Sequence, residues 1–322
     1  MGYVYALLAA VLFGANGSLT KLILETDLSA TQLTLLRTLG IAISAGVALL
    51  VVDRNGFRIG WRRVGIMAIL GVFGLALLQA SYAAAIALLP VGIALLLEYL
   101  AVLFVALVAF FVFHEKVRRR LWFAIAFVLA GLALVAQIWA SALNALGVLF
   151  GLGAAASLTI YFVVGERQVS RTSPLAVAFW TGTFATAFWA LFSGWWELDA
   201  GIFVQPTELA GVHGSLELPL WMPLIVTAIA GSFVTFLLSF TALKYLTATA
   251  AGVVASSEVL FAFLFAWLWL GETLDTIQLL GAGVVLVGIV LAQTARAAKS
   301  VVAADLALPP STASIPTVGG PL

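Results

Sequence analysis

Ten long apolar runs, separated by short stretches of charge or turn formers, set the pattern of this chain. They lie near residues 3–24, 30–52, 64–87, 90–113, 119–139, 145–165, 174–195, 220–243, 248–271 and 276–295. Each is close to the roughly 20 residues that cross the hydrocarbon of a bilayer as a helix. The pattern predicts an all-α polytopic membrane protein with ten transmembrane helices. Pro90, Pro174, Pro219 and Pro223 fall at or near the starts of runs, where a missing N–H costs little. None of the nine prolines lies in the middle of a run. A break within a helix is therefore expected at glycine, for instance at Gly71 with Gly74. The first run has no basic stretch before it, which fits a retained span and not a cleaved signal. The chain closes on the Ala/Pro/Ser-rich sequence LALPPSTASIPTVGGPL, which cannot bury a core. Residues 298–322 are expected to form a disordered cytoplasmic tail.

Two runs each keep one carboxylate among apolar residues: Glu98 within 89–113 and Glu258 within 248–270. A charge at membrane depth is costly unless it faces a partner or a wet cavity. The two glutamates therefore point to a shared polar pathway. Composition narrows the chemistry. The 322 residues are 64% hydrophobic and 9% charged, against roughly a quarter charged for a soluble domain. A net charge of +1 gives no basis for a nucleic-acid partner. Cysteine is absent, which removes disulfides, thiolate metal sites and cysteine nucleophiles, and His114 and His213 lie outside the apolar runs. No GxxxxGK[ST] motif supports ATP-driven transport, and neither HExxH nor a short paired-carboxylate motif supports an enzyme. No cofactor and no metal site is expected. A structural scaffold would not need two intramembrane glutamates at related positions.

Lys and Arg in the short loops set the orientation. With a cytoplasmic N-terminus, the inner loops hold Arg54, Arg58, Arg62, Arg63, Lys116, Arg118, Arg119, Arg120, Arg167, Arg171 and Lys244. Arg296 and Lys299 in the tail bring this to 13 of the 15 basic residues. The outer loops hold Glu25, Asp27, Glu197, Asp199, Glu208, Glu217, Glu272 and Asp275, with Lys21 the one base near that side. Both termini are thus expected in the cytoplasm. An internal repeat reinforces the pattern. Residues 82–137 parallel 242–293, aligning Gly92 with Gly252, Glu98 with Glu258, Glu115 with Glu272 and Gln137 with Gln293. Gly2 aligns with Gly147 where the halves open. The boundaries expected are a first five-span repeat over 1–140 and a second over 141–297. An odd number of spans inverts one repeat relative to the other, the common plan of secondary transporters and one that channels can share.

At LPVGIALLLEYL, LLRTLGI around Arg37, and LGETLDTIQLLGAGVVLVGI the sequence resembles the drug/metabolite transporter superfamily, in particular its EamA-type ten-span members. The resemblance covers about residues 3–295. FGANGSLTKLI, LLRTLGIAI and PVGIALLLEYL together look most like the inner-membrane threonine/homoserine exporters. The resemblance implies export of a small metabolite, such as an amino acid, across a bacterial-type inner membrane. Transport would be passive or proton-linked, through a cavity between the halves, with spans five and ten peripheral. Multidrug or other metabolite efflux or uptake is the alternative, because substrates in the superfamily range widely.

Glu98 lies about 8 residues into span four, roughly 12 Å of helix, and Arg37 about 7 residues into span two from the same side, roughly 10 Å. At similar depth they either form an internal ion pair, the arrangement favoured in the empty protein, or flank a zwitterionic substrate. In the second case Arg37 forks its carboxylate and Glu98 meets its ammonium. Glu258 lies about 10 residues into span nine, near the midplane beside Ser256 and Ser257, and is a second candidate with Glu98 for carrying a proton. Asn16, Gln79, Tyr82, Tyr99 and Tyr161 are further candidate substrate ligands. For each, a helix-linking hydrogen bond of about 0.6–2 kcal/mol is the favoured reading. Tyr99 projects about 100° from Glu98 on the helix, so the two need not share a surface. Lys21 is expected to snorkel to the interface. Trp195, Trp196 and Trp221 read as interfacial anchors, and Gly147, Gly151 and Ala155 as a helix-packing face.

Overall fold

A computed structural model describes residues 1–101, 103–104, 120–136, 143–209, 217–246, 251 and 254–295. Among them the elements are helices α1 (Gly2–Leu24), α2 (Ala30–Val52), α3 (Trp61–Leu88), α4 (Val91–Glu98), α5 (Arg120–Ala136), α6 (Ala145–Val169), α7 (Pro174–Phe192), α8 (Trp221–Tyr245), α9 (Glu258–Leu270) and α10 (Thr276–Ala295). Six of these, α1, α2, α3, α6, α7 and α8, are long and apolar enough to cross a membrane, and α9 and α10 contain shorter apolar stretches. His114, Glu115, Lys116, Arg118, Arg119, Gln137, His213, Gly252 and the tail 298–322 lie outside the described residues.

Local sequence sets the helix starts. Ser29 and Gln32 exchange side-chain and backbone hydrogen bonds at 3.2 and 3.0 Å, a capping box that opens α2. Asp275 and Gln278 do the same for α10, at 2.8 and 3.2 Å. Asn144 accepts from Leu146 and Gly147 at the start of α6, and Ser173 accepts from Ala176 ahead of Pro174 in α7. Gly271, at φ 67°, ends α9 in a left-handed turn that a side chain would strain.

The bundle reverses the polarity of a water-soluble fold. Leu7, Leu8, Ile43, Val47, Leu50, Leu149 and Leu191 are exposed, while Asn16, Ser18, Thr20, Arg37, Thr38, Gln79 and Ser232 are buried. That distribution suits a lipid surround, where apolar side chains face outward without cost and backbone groups must pair internally. Thr34, Thr38 and Thr181 close their hydroxyls onto carbonyls one turn back.

Departures from plain α-helix are more varied than the expected glycine breaks. Leu70–Ala76 of α3, which contains Gly71 and Gly74, is a π-helical segment, and so is Ile229–Val234 of α8 with Gly231. Ala266–Leu270 is also π-helical and contains no glycine. At the two glutamates the helices tighten instead. Leu100 N–H donates to Leu97 at 3.1 Å, and Val259 and Leu260 donate to Ser256 and Ser257 at 3.3 and 3.0 Å. These are three-residue rather than four-residue steps.

One short strand pair stands beside the helices. Pro206–Glu208 and Glu217–Pro219 pair as a short antiparallel ribbon, Thr207 opposite Leu218, within the loop between α7 and α8. That loop carries polar and turn-forming residues with no helical period, so an extended hairpin satisfies its backbone. Trp195, Trp196 and Trp221 flank it with their rings exposed. Gly147 and Gly151 of α6 sit against Leu88, Leu89 and Leu97, so this small-residue face packs on α3 and α4.

Candidate functional site

The ends of the bundle differ. At one, called here the Lys21 end, the α7–α8 loop folds over the tips of α1 and α2. There Ile202, Leu209, Leu220 and Leu224 cluster with Leu19, Leu22, Ile23, Leu28 and Leu33. At the Met1 end, α1 runs beside the end of α8, where the Tyr5 and Tyr245 rings stack at 6.1 Å. Between them lies a cavity lined by both apolar and polar side chains. Its lining extends towards the Met1 end through Ala6, Ala9, Leu243 and Ala251. Among the described residues, none of those lining it comes from α5 or α10.

The structure brings all eight residues singled out from the sequence onto this one cavity: Asn16, Arg37, Gln79, Tyr82, Glu98, Tyr99, Tyr161 and Glu258. Seven of them, all but Glu98, fall into two groups. On α1, α2 and α3, the Asn16 Oδ1, Arg37 Nη1, Tyr82 hydroxyl and both polar side-chain atoms of Gln79 are buried with no hydrogen-bond partner among the described residues. Buried polar atoms are almost always paired, so four such side chains on one wall mark a place for water or a ligand's polar groups. On the facing side the polar groups pair with one another. Tyr161 OH donates to Ser239 Oγ at 3.2 Å, and Tyr99 OH lies 2.7 Å from Ala255 O and 2.8 Å from Glu258 Oε2. The tightened helix before Glu258 makes this possible. Val259 N–H donates to Ser256, not to Ala255, and leaves the Ala255 carbonyl for the tyrosine.

Arg37 and Glu98 line the same cavity but form no ion pair, contrary to the pairing favoured from their depths. The reason is Ser232 on α8, whose Oγ accepts from Arg37 Nε at 2.9 Å in a buried contact and draws the guanidinium that way. Tyr99 and Glu98 share the cavity despite their angular separation, because the cavity wraps the end of α4 where the helix tightens. Lys21 does not snorkel. It pairs with Glu272 and donates to Leu89 O at 3.3 Å, because the Gly271 turn brings Glu272 back over α1.

Sequence reading missed Ser232 and Ser239. They lie seven apart on α8, two turns along one face, and that spacing within an apolar run was the available signal. Gly231 was missed too. A Cβ there would stand 1.9 Å from Asn16 Oδ1, so the glycine lets Asn16 approach α8. Aromatic side chains complete the cavity: Phe13 and Phe236 pack edge-to-face at 5.0 Å, and Tyr161 meets Phe236 at 5.6 Å.

Comparison with known proteins fits this architecture. A solved crystal structure superposes with a TM-score of 0.63 at 18% identity, over 90% of this chain and 96% of its own, which supports the fold. An uncharacterized transporter from Archaeoglobus fulgidus is 29% identical over 219 residues, 66% of this chain and 71% of its own. The profile of the EamA-like transporter family matches twice, over residues 1–137 and 145–294. This multi-pass membrane protein, with its helices set around a cavity that carries several polar side chains, belongs to the EamA-like transporter family.

Proposed function

We propose that the chain exports a small amino acid, of the threonine or homoserine class, across a bacterial-type inner membrane by alternating access. Two inverted five-helix repeats, over 1–140 and 141–297, move against each other in this reading, and the two family matches support that division. The observation that carries the substrate class is the Arg37 guanidinium, with Nη1 unsatisfied and no ion pair to Glu98 although the two share a cavity. An α-carboxylate docks on Arg37 with Gln79 and Tyr82 in support, and the ammonium meets Glu98. Both charges of a zwitterion then replace hydration with fixed partners. Ser232 orients the guanidinium from the opposite half.

Proton exchange is assigned to Glu98 and Glu258. The Tyr99 hydroxyl has one hydrogen and two oxygens at hydrogen-bond distance, Ala255 O and Glu258 Oε2. Both contacts are hydrogen bonds when Glu258 supplies a proton of its own, so this cluster has a place for one. The cytoplasmic position of both termini follows from the basic-loop pattern.

Counterflow of radiolabelled threonine in proteoliposomes tests the reading, comparing the native protein with Glu98→Gln at several pH values. Native transport that varies with pH and is lost in the variant is the expected result. No threonine movement at any pH by folded protein ends the amino-acid assignment. The aromatic side of the cavity, Phe13, Phe162 and Phe236, favours one second reading, efflux of a larger apolar compound. Such cargo needs no carboxylate fork, so that reading predicts retained transport in Arg37→Gln.

A further inference from the structure

Glu272 is held by several contacts at the Lys21 end. Gly271 turns the chain back after α9, and Glu272 N–H donates to Ala266 O at 3.2 Å, fixing where the side chain starts. One carboxylate oxygen then pairs with Lys21 Nζ of α1. The other accepts from Val91 N–H at 3.0 Å, the first free amide of α4 after Pro90. Lys21 also donates to Leu89 O at 3.3 Å, just before α4. One carboxylate thus ties the α9–α10 turn to α1 and to the start of α4. Both side chains are partly buried, about a fifth exposed, so the pair is less screened than an open surface bridge. Beside it, Leu270 and Trp269 join the apolar cluster that covers this end, and Trp269 Nε1 donates to Leu209 O of the α7–α8 loop.

The elements tied here belong to opposite halves of the chain. Lys21 and Val91 lie in the first family match and Glu272 in the second. A contact between halves, at the end away from the cavity's Met1-side lining, has to break if that end is to open.

We propose that the Lys21–Glu272 pair, with the Val91 amide, is the latch that keeps the Lys21 end closed while the cavity faces the Met1 end. This rests on the alternating-access reading. Pairing is formed in the conformation described here and lost in the opposite one, so its strength sets the balance between the two.

The cysteine-free chain allows a clean test. A reporter thiol at the cavity-lining position Ala10, introduced as Ala10→Cys, is treated with a membrane-impermeant methanethiosulfonate in vesicles of both orientations. The rate of labelling from the Lys21 end is compared in the otherwise native chain, in Glu272→Gln and in Lys21→Gln. Both variants should raise that rate by about tenfold, a shift of the size that loss of one charge-assisted pair supports. Combining Lys21→Glu with Glu272→Lys should restore part of the closure, because the ion pair returns without the Val91 contact. Glu272→Gln can fail to fold through loss of its α4 cap, whereas Lys21→Gln leaves Glu272 on Val91, so the second variant keeps the test open. Labelling from the Lys21 end at the native rate in folded Lys21→Gln overturns the latch. Failure of the underlying reading looks different: no background, native or variant, would then be labelled from the Lys21 end at any exposure time.

Discussion

The two sides of the cavity treat their polar groups in opposite ways. On α1, α2 and α3, Asn16, Arg37, Gln79 and Tyr82 keep buried hydrogen-bonding atoms without partners among the described residues. Across from them, Tyr99 with Glu258 and Ala255, and Tyr161 with Ser239, satisfy one another. An unmet buried group costs more than a met one gives back, about 1–3 kcal/mol against about 1. The first wall therefore carries a penalty that only water or cargo removes, while the second wall holds helices in place. Binding is expected on one side and stability on the other.

The largest expected effect tests the first wall. Arg37→Gln should lower amino-acid counterflow by roughly 100-fold, the loss of one charge-assisted contact, with little change in thermal melting. Undiminished counterflow would move the binding surface elsewhere. Tyr99→Phe probes the second wall and should cost about 1–3 kcal/mol of stability, because Ala255 O and the Glu258 carboxyl both lose their hydroxyl. The readout is melting in detergent, and an unchanged melting temperature would show that this network bears no weight.

Where the walls meet, Gly231→Ala places a Cβ 1.9 Å from Asn16 Oδ1. Overpacking of this kind costs about 1–3 kcal/mol. Asn16→Ala in the same chain should remove most of that cost, so a double-mutant cycle yields a clear interaction energy. The smallest effects sharpen the contrast most. Tyr82→Phe should weaken counterflow yet raise stability by up to about 1 kcal/mol, since it deletes an unmet hydroxyl. Tyr161→Phe should do the reverse and lose about 1 kcal/mol while leaving counterflow near native. If both tyrosines behave alike, the two walls are not different in kind.

Much of this was legible from local pattern. The starts of α2 and α10, at Ala30 and Thr276, follow from capping boxes that short-range sequence specifies. Depth arithmetic on straight helices was enough to bring Arg37 and Glu98 to the same level, because both helices run uninterrupted from the Lys21 end to those residues. Their failure to pair was not legible, since Ser232 lies 195 positions from Arg37. Lys21 and Glu272 are 251 positions apart, and their meeting depends on the turn at Gly271 and on how α9 packs along α1. The tightened steps at Glu98 and before Glu258 leave no trace in hydropathy, which is blind to whether a helix takes three or four residues per hydrogen bond.

The pairing of α5 with α10 has a consequence for biosynthesis. Gly131 of α5 meets the backbone of α10 at Gly281 and Val285, and Gly288 of α10 meets Val128 of α5, so the two helices touch nearly backbone to backbone. When α5 emerges from the ribosome its partner is still untranslated, and every helix from α6 to α9 must be inserted first. Until α10 arrives, the glycine notch of α5 lacks its partner, and this part of the bundle cannot assemble before α10 is made.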